Sequence, residues 1–298
     1  GLVSAILKDR SGQFTARALT RDVHSPKARA LAAQGVEVVH ADLDDAESLK
    51  RAFAGAWGAY CVTFYWAHMS PQRETENGRA LARAAQHAGV RHAIWSTFED
   101  TRDWVPLSDS RMPTIMGGYK VPHFDSKAEV DPYFNELGVP TTFLYTSFYW
   151  DNMIRPGAGP QRGADGRLAL TFCLGNARMP GINSADIGAC ALGIFKRSDE
   201  FIGHTLGVAG EHVSGARMAA GLTRALGEEV VYNDVPPDVY RSFGFPGADD
   251  TGNMLQFYRD FEADFRAMRS VELSKLLHPG LQSYDQWLAD NAARIPLR

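Results

Sequence analysis

The sequence predicts an α/β protein organised on a doubly wound parallel sheet, with a smaller α+β domain toward the C-terminus. Two observations carry this expectation. Between residues 14 and 96, β-branched and aromatic runs (FTARAL, VEVVHA, GAYCVTF, VRHAIWS) alternate with helix-patterned stretches, and such alternation implies parallel strands with helices on both faces of the sheet. Beyond residue 155 a Pro- and Gly-dense segment, 155–167, interrupts the pattern, and short strands and helices then mix. The expected domains are therefore 1–155 and 156–298, with a segment near 182–209 returning to the main sheet.

Composition narrows the class further. The chain has 298 residues, 45% of them hydrophobic, enough for a substantial core. Lys and Arg number 31 and Asp and Glu 35, a net charge of −4 without any long block of one sign. That balance argues against direct nucleic-acid binding. Cys61, Cys173 and Cys190 are widely spaced, odd in number and in no metal-ligand pattern, so buried inert thiols in a reducing cytoplasm are expected and no metal site is predicted. No apolar run approaches the ~18 residues of a membrane-spanning helix.

The elements follow in order. Residues 1–8 carry apolar side chains at 2, 3, 6 and 7, a helical spacing. The strand at 14–19 ends in Thr20, Arg21 and Asp22. A helix over 26–34 stops at Gly35, and a strand over 36–41 delivers Asp42. Asp44 or Asp45 is suited to cap a helix over 46–53. The strand at 58–64 places Thr63, Phe64 and Tyr65 at its end. A helix over 74–87 closes at Gly89, and the strand at 90–96 ends at Ser96. A polar connection, 97–119, is long enough to be functional or mobile. Pro122 and Gly138 suit the ends of a helix over 122–137, though Pro132 inside it would break or kink it. That helix puts His123 and Lys127 on one face. A strand over 141–146 then brings in Tyr149 and Asn152. Further on, strands are expected at 168–174, 201–208 and 230–235, and helices at 214–226, 237–242 and 281–288, with another that follows 183–186 and runs through Phe195 with Asp186 near its first turn. The longest amphipathic helix, 249–270, carries Met254, Phe257, Tyr258, Phe261, Phe265 and Met268 in helical register.

One block carries more information than the rest: HFDSK at 123–127, then GVP leading into a strand, then an aromatic segment ending in Asn152. Together with ALTRD at 18–22, GVEVVHADLDD at 35–45, GAYCVTFYW at 58–66, GVRHAIWS at 89–96 and FGFPGADDTGNMLQFY at 243–258, it resembles the NmrA-like family, atypical members of the short-chain dehydrogenase/reductase superfamily. The resemblance implies a Rossmann-type fold binding NADP(H) or NAD(H) at the strand ends. It also implies a strand and a glycine-rich phosphate turn ahead of Gly1, so the chain is expected to lack them, with Gly1 the remnant of the turn.

On this resemblance the expected cofactor-binding residues are Gly1, Thr20, Arg21, Asp42, Thr63, Phe64, Tyr65, Lys127, Tyr149 and Asn152. Arg21 tips the expectation toward NADP, because an Arg after this strand accommodates a 2′-phosphate; Asp22 beside it leaves NAD open. Short-chain dehydrogenases pair a Ser with Tyr-x-x-x-Lys. Here Ser96 and Lys127 match, but His123 stands at the tyrosine position. Lys127, His123 and Ser96 are the candidate catalytic residues. The absent phenol favours an NADP(H)-binding redox sensor or regulator with weak or no dehydrogenase activity, acting through a protein partner. The alternative is an NADPH-dependent reductase of a quinone, enone or aromatic small molecule, with His123 or a nearby Tyr supplying the proton. A cofactor-free interaction protein is a third reading, and homodimerisation is left open.

Overall fold

The computed structural model describes residues 1–155 and 159–297. Residues 156–158, at the start of the Pro/Gly-dense excursion and just past the expected boundary at 155/156, lie outside the described residues. The chain divides into two compact units, one comprising 1–98, 126–144 and 187–206, the other 99–125, 145–186 and 207–298. Beside the expected domains, 1–155 and 156–298 with a segment near 182–209 returning to the main sheet, the first unit takes in 187–206 but not 99–125 or 145–155. Residues 99–125 group with the second unit because its side chains satisfy their backbone. Asn253 donates to the Pro113 carbonyl (2.9 Å) and Gln256 to that of Arg111 (2.9 Å). The Asp125 carboxylate accepts from the Thr101 and Lys120 backbone N–H groups at 2.8 and 2.9 Å.

The first unit holds the parallel sheet. Its elements are α1 (Leu2–Lys8), β1 (Arg17–Thr20), α2 (Pro26–Ala32), β2 (Glu37–His40), α3 (Ala46–Phe53), β3 (Gly58–Cys61), α4 (Pro71–Ala88) and β4 (His92–Thr97). After α5 (Pro122–Ala128), which enters this unit at Ser126, come α6 (Asp131–Glu136), β5 (Thr141–Tyr145), α7 (Ser184–Lys196) and an edge strand, Thr205–Gly207. The edge strand, β5, β4 and β3 form one sheet in that order, with β3 and β4 parallel; β1 and β2 pair in parallel as a separate two-stranded sheet.

Local chemistry explains most boundaries. Asp45 rather than Asp44 caps α3, its carboxylate accepting from the Glu47 and Ser48 N–H groups. Ser70 caps α4, Pro71 opens it, and Gly89 closes it in the left-handed region at φ 62°. Against these helices packs a core that includes Leu49, Phe53, Leu81, Ala85, Trp95, Phe134 and Phe143.

Several expected elements are shorter or broken. The strand from Phe14 begins only at Arg17, because Phe14 packs on Trp57 with ring centroids 5.2 Å apart. The one at 58–64 stops at Cys61, since Thr63 turns into a side-chain network. The helix over 122–137 is two helices: Pro132, without an N–H, sits in the first turn of α6, where none is needed.

In the second unit the sheets are three-stranded, one of Phe148–Tyr149, Arg178–Ile182 and Glu211–Ser214, the other of Gln161–Arg162, Leu168–Phe172 and Val230–Asp234. The expected helix over 249–270 breaks into Ala248–Asp260 and Glu262–Ala267, because Phe261 leaves helical geometry at φ −121°, ψ 34°. Met254, Phe257, Tyr258 and Phe265 are buried, whereas Met268 is exposed. The long connection is held rather than loose: besides the bonds above, the Lys120 ammonium donates to the Asp109 and Met112 carbonyls. Arg269, fully buried, forms an ion pair with Glu99 and donates to the Thr146 carbonyl. The closing helix, Tyr284–Asn291, begins with a capping box between Ser283 and Gln286.

Candidate functional site

The first unit gathers its polar groups beyond the carboxyl end of β3. Lys127, near the end of α5, is 7% exposed; its ammonium donates to the Thr63 hydroxyl and the Glu74 carboxylate, and to the Thr63 carbonyl at 3.4 Å. Thr63 in turn donates its hydroxyl to Glu74. The Trp95 ring lies under the ammonium with its centroid 5.4 Å away, close enough for a cation–π contribution. Burial pulls the Lys127 pKa down, and the Glu74 charge opposes that pull.

Glu74 is the residue that sequence reasoning missed. Its signal was present: it falls in helical register with Gly78, Leu81, Ala82 and Ala85, the inward face of α4. A carboxylate on such a face demands a partner. The same face explains how Lys127 arrives. A Cβ on Gly78 would lie 2.9 Å from a Val130 methyl and 3.1 Å from Trp95, so α4 approaches the α5–α6 junction closely. Thr75 fastens that approach, donating to the Ser126 carbonyl at 3.2 Å.

A cavity of about 1160 Å³ opens beside this network, lined by α1, β1, β3 and the loops after β1 and β2. Gly1, Thr20, Arg21, Asp42 and Phe64 line it. Thr20 and Asp22 shape the turn after β1: the Thr20 hydroxyl accepts from the Asp22 N–H, and the Asp22 carboxylate from the His24 N–H at 2.8 Å. Arg21 is exposed and has no hydrogen-bond or ionic partner among the described residues. Asp42 accepts from the Asp44 N–H at 3.1 Å, and its own N–H donates to Ser48. Gly1 is the N-cap of α1, whose residues are all at least partly exposed.

The other expected residues lie elsewhere. Tyr65 is buried and packs edge-on to Trp66 and His68. Ser96 is buried within β4. Tyr149, Asn152 and His123 belong to the second unit. The Tyr149 hydroxyl shares a 3.0 Å bond with Thr146, and burial pushes its pKa up; Asn152 sits in the short helix Trp150–Ile154. His123 is buried with its Nδ1 2.6 Å from Asp250, which also accepts from the His123 backbone N–H at 3.3 Å. Asp250 was likewise unflagged, four and seven residues before Met254 and Phe257 on a buried stripe. The three thiols are buried and form no disulfide among the described residues, and burial pushes Cys61 and Cys173 up to about 12. No cluster of potential metal ligands occurs among the described residues, and no helix among them is long and apolar enough to cross a membrane.

A doubly wound α/β sheet with polar groups gathered beyond its strand ends defines a Rossmann-type protein. Within that class the chain belongs to the NmrA-like family, whose model matches residues 1–288. It is similar to an NmrA-like family domain-containing oxidoreductase of Aspergillus japonicus, 31% identical over 159 residues that are 51% of this chain and 44% of that protein. Another oxidoreductase so described, from Cladobotryum sp, is 27% identical over 269 residues, 82% of this chain and 76% of its own length. Among solved structures, NmrA, a negative transcriptional regulator, in complex with NADP superimposes with a TM-score of 0.77 at 21% identity, covering 98% of this chain and 91% of that one.

Proposed function

We propose that this chain is an NADP(H)-binding regulatory protein, whose output is dinucleotide occupancy communicated to a protein partner rather than turnover. The observation that carries the reading is the closed network at Lys127. A dehydrogenase of this superfamily needs a lysine whose charge lowers the pKa of a neighbouring phenol. Here the ammonium is already neutralised by Glu74, and the expected phenol position is His123, whose imidazole is engaged by Asp250. The residues lining the cavity suit the cofactor: Arg21, exposed and unpaired among the described residues, would hold a 2′-phosphate, and Thr20 and Asp42 border the same space. When bound, the dinucleotide would supply a hydride couple. What the chain itself does is bind it, with Arg21 setting the preference for the phosphorylated form. The NADP complex of NmrA supports the cofactor assignment by analogy of fold.

One observation favours a second reading. A buried imidazole bonded to a carboxylate, as His123 is to Asp250, is also a proton-transfer arrangement, and the relatives above are described as oxidoreductases. On that reading the chain reduces a quinone, enone or aromatic small molecule. Calorimetric titration with NADPH, NADP, NADH and NAD, followed by NADPH oxidation against a carbonyl and quinone panel, separates the two. Tight phosphate-dependent binding without turnover is expected. Turnover that disappears in Lys127→Ala would replace the regulator with the reductase, and no binding of any dinucleotide would end both.

A further inference from the structure

We propose that Glu74 is the positioning residue for Lys127, fixing its amine as an ammonium against Thr63 and keeping the buried pair at zero net charge. This deepens the reading of Lys127 given above. Three observations carry it. Glu74 is fully buried, and one carboxylate oxygen takes both the Lys127 ammonium and the Thr63 hydroxyl. The other oxygen has no hydrogen bond but lies 3.3 Å from His68 Nε2. His68 Nδ1 accepts from the Ser70 backbone N–H at 3.1 Å, so the ring proton sits on Nε2 and faces the carboxylate. Glu74 is therefore held on one oxygen by an ammonium and a hydroxyl, with the His68 ring 3.3 Å from the other.

The other groups facing this pair are few. Asp131, at the start of α6, acts on Lys127 through its charge and accepts from the Trp95 indole at 2.9 Å. Glu129 shares the Thr75 hydroxyl at 3.3 Å. Without Glu74, a buried amine has lost the one anion it touches, and burial favours its neutral form. The site would then present a neutral amine in place of a neutralised ammonium.

The test titrates Lys127 directly, in protein free of dinucleotide, so it stands or falls independently of cofactor binding. Protein labelled with 13C at lysine Cε is followed by NMR from pH 6 to 11, with the Lys127 resonance assigned through Lys127→Arg. In Glu74→Gln the midpoint is expected to fall by at least one pH unit below wild type, a tenfold change in the proton equilibrium. Glu74→Asp, which keeps a carboxylate, is expected to restore most of the shift. An unchanged midpoint in Glu74→Gln overturns the proposal. If Glu74→Gln does not fold, thermal unfolding of Lys127→Met against Lys127→Met/Glu74→Gln decides. The double variant is expected to melt above Lys127→Met, because the stranded carboxylate is gone; a further drop overturns the pairing.

Discussion

Acid is expected to weaken the first unit through His92. This imidazole is fully buried at the start of β4, with Nδ1 2.7 Å from the Ser198 hydroxyl and Nε2 2.8 Å from that of Thr142. Burial holds it neutral and pulls its pKa from 6.5 down to about 4. Above pH 6.5 neither the folded nor the unfolded chain protonates it, and its contribution is fully present. As the pH falls toward 4 the unfolded chain takes up a proton that the fold refuses, so stability is lost. At ~1.4 kcal/mol per pH unit, that window is worth up to about 3 kcal/mol. For a unit of this size each kcal/mol moves the melting temperature by about 2–4 °C, giving a drop of roughly 6–12 °C. Asp125 runs the other way, since burial raises its carboxyl and its protonation favours the fold as pH falls. Comparing wild type with His92→Gln removes that contribution. Thermal unfolding of both proteins at pH 7.5, 6.5, 5.5 and 4.5 is the assay. Glutamine does not titrate, so the variant should start lower and fall less. Equal falls in the two proteins would refute the assignment to His92.

Arg21→Ala is expected to weaken NADP(H) by about 10- to 100-fold, the ~1.5–3 kcal/mol of a charge-assisted contact, and to leave NAD(H) nearly unchanged; calorimetry with both cofactors checks it. Gly78→Ala gains helix propensity but drives a methyl into Val130 and Trp95, so a net loss of about 1–2 kcal/mol is expected in denaturant unfolding. His123→Ala strands the Asp250 carboxylate and should cost about 3–5 kcal/mol, whereas His123→Asn, which can still donate, should recover much of it. Melting temperatures of the two variants report the difference.

Where the sequence was legible, the cause of the structure was local. The bounds of helix α3 could be read to the residue and its cap narrowed to Asp44 or Asp45, because cap and apolar positions are neighbours in the chain. The break at Pro132 followed from a missing N–H. The break at Phe261 did not, since helical periodicity continues through Phe265 while the backbone turns. Lys127 was legible as a motif, but its meaning was not. Glu74 lies far from it in sequence, and only the packing of α4 on the α5–α6 junction makes them partners. His123 shows the same limit, since Asp250 reaches it from a helix much later in the chain. Single residues reveal their type in sequence, whereas their counter-charges depend on which elements pack together.

The connection over 99–125 has a consequence for hydrogen exchange. The backbone N–H groups of Thr101, Lys120 and Val121 all donate to the one buried Asp125 carboxylate, at 2.8, 2.9 and 3.1 Å. Amides that end on a buried side chain reach solvent only when that side chain is released. These three, drawn from both ends of the connection, would therefore exchange as one group, and more slowly than the exposed turns between them.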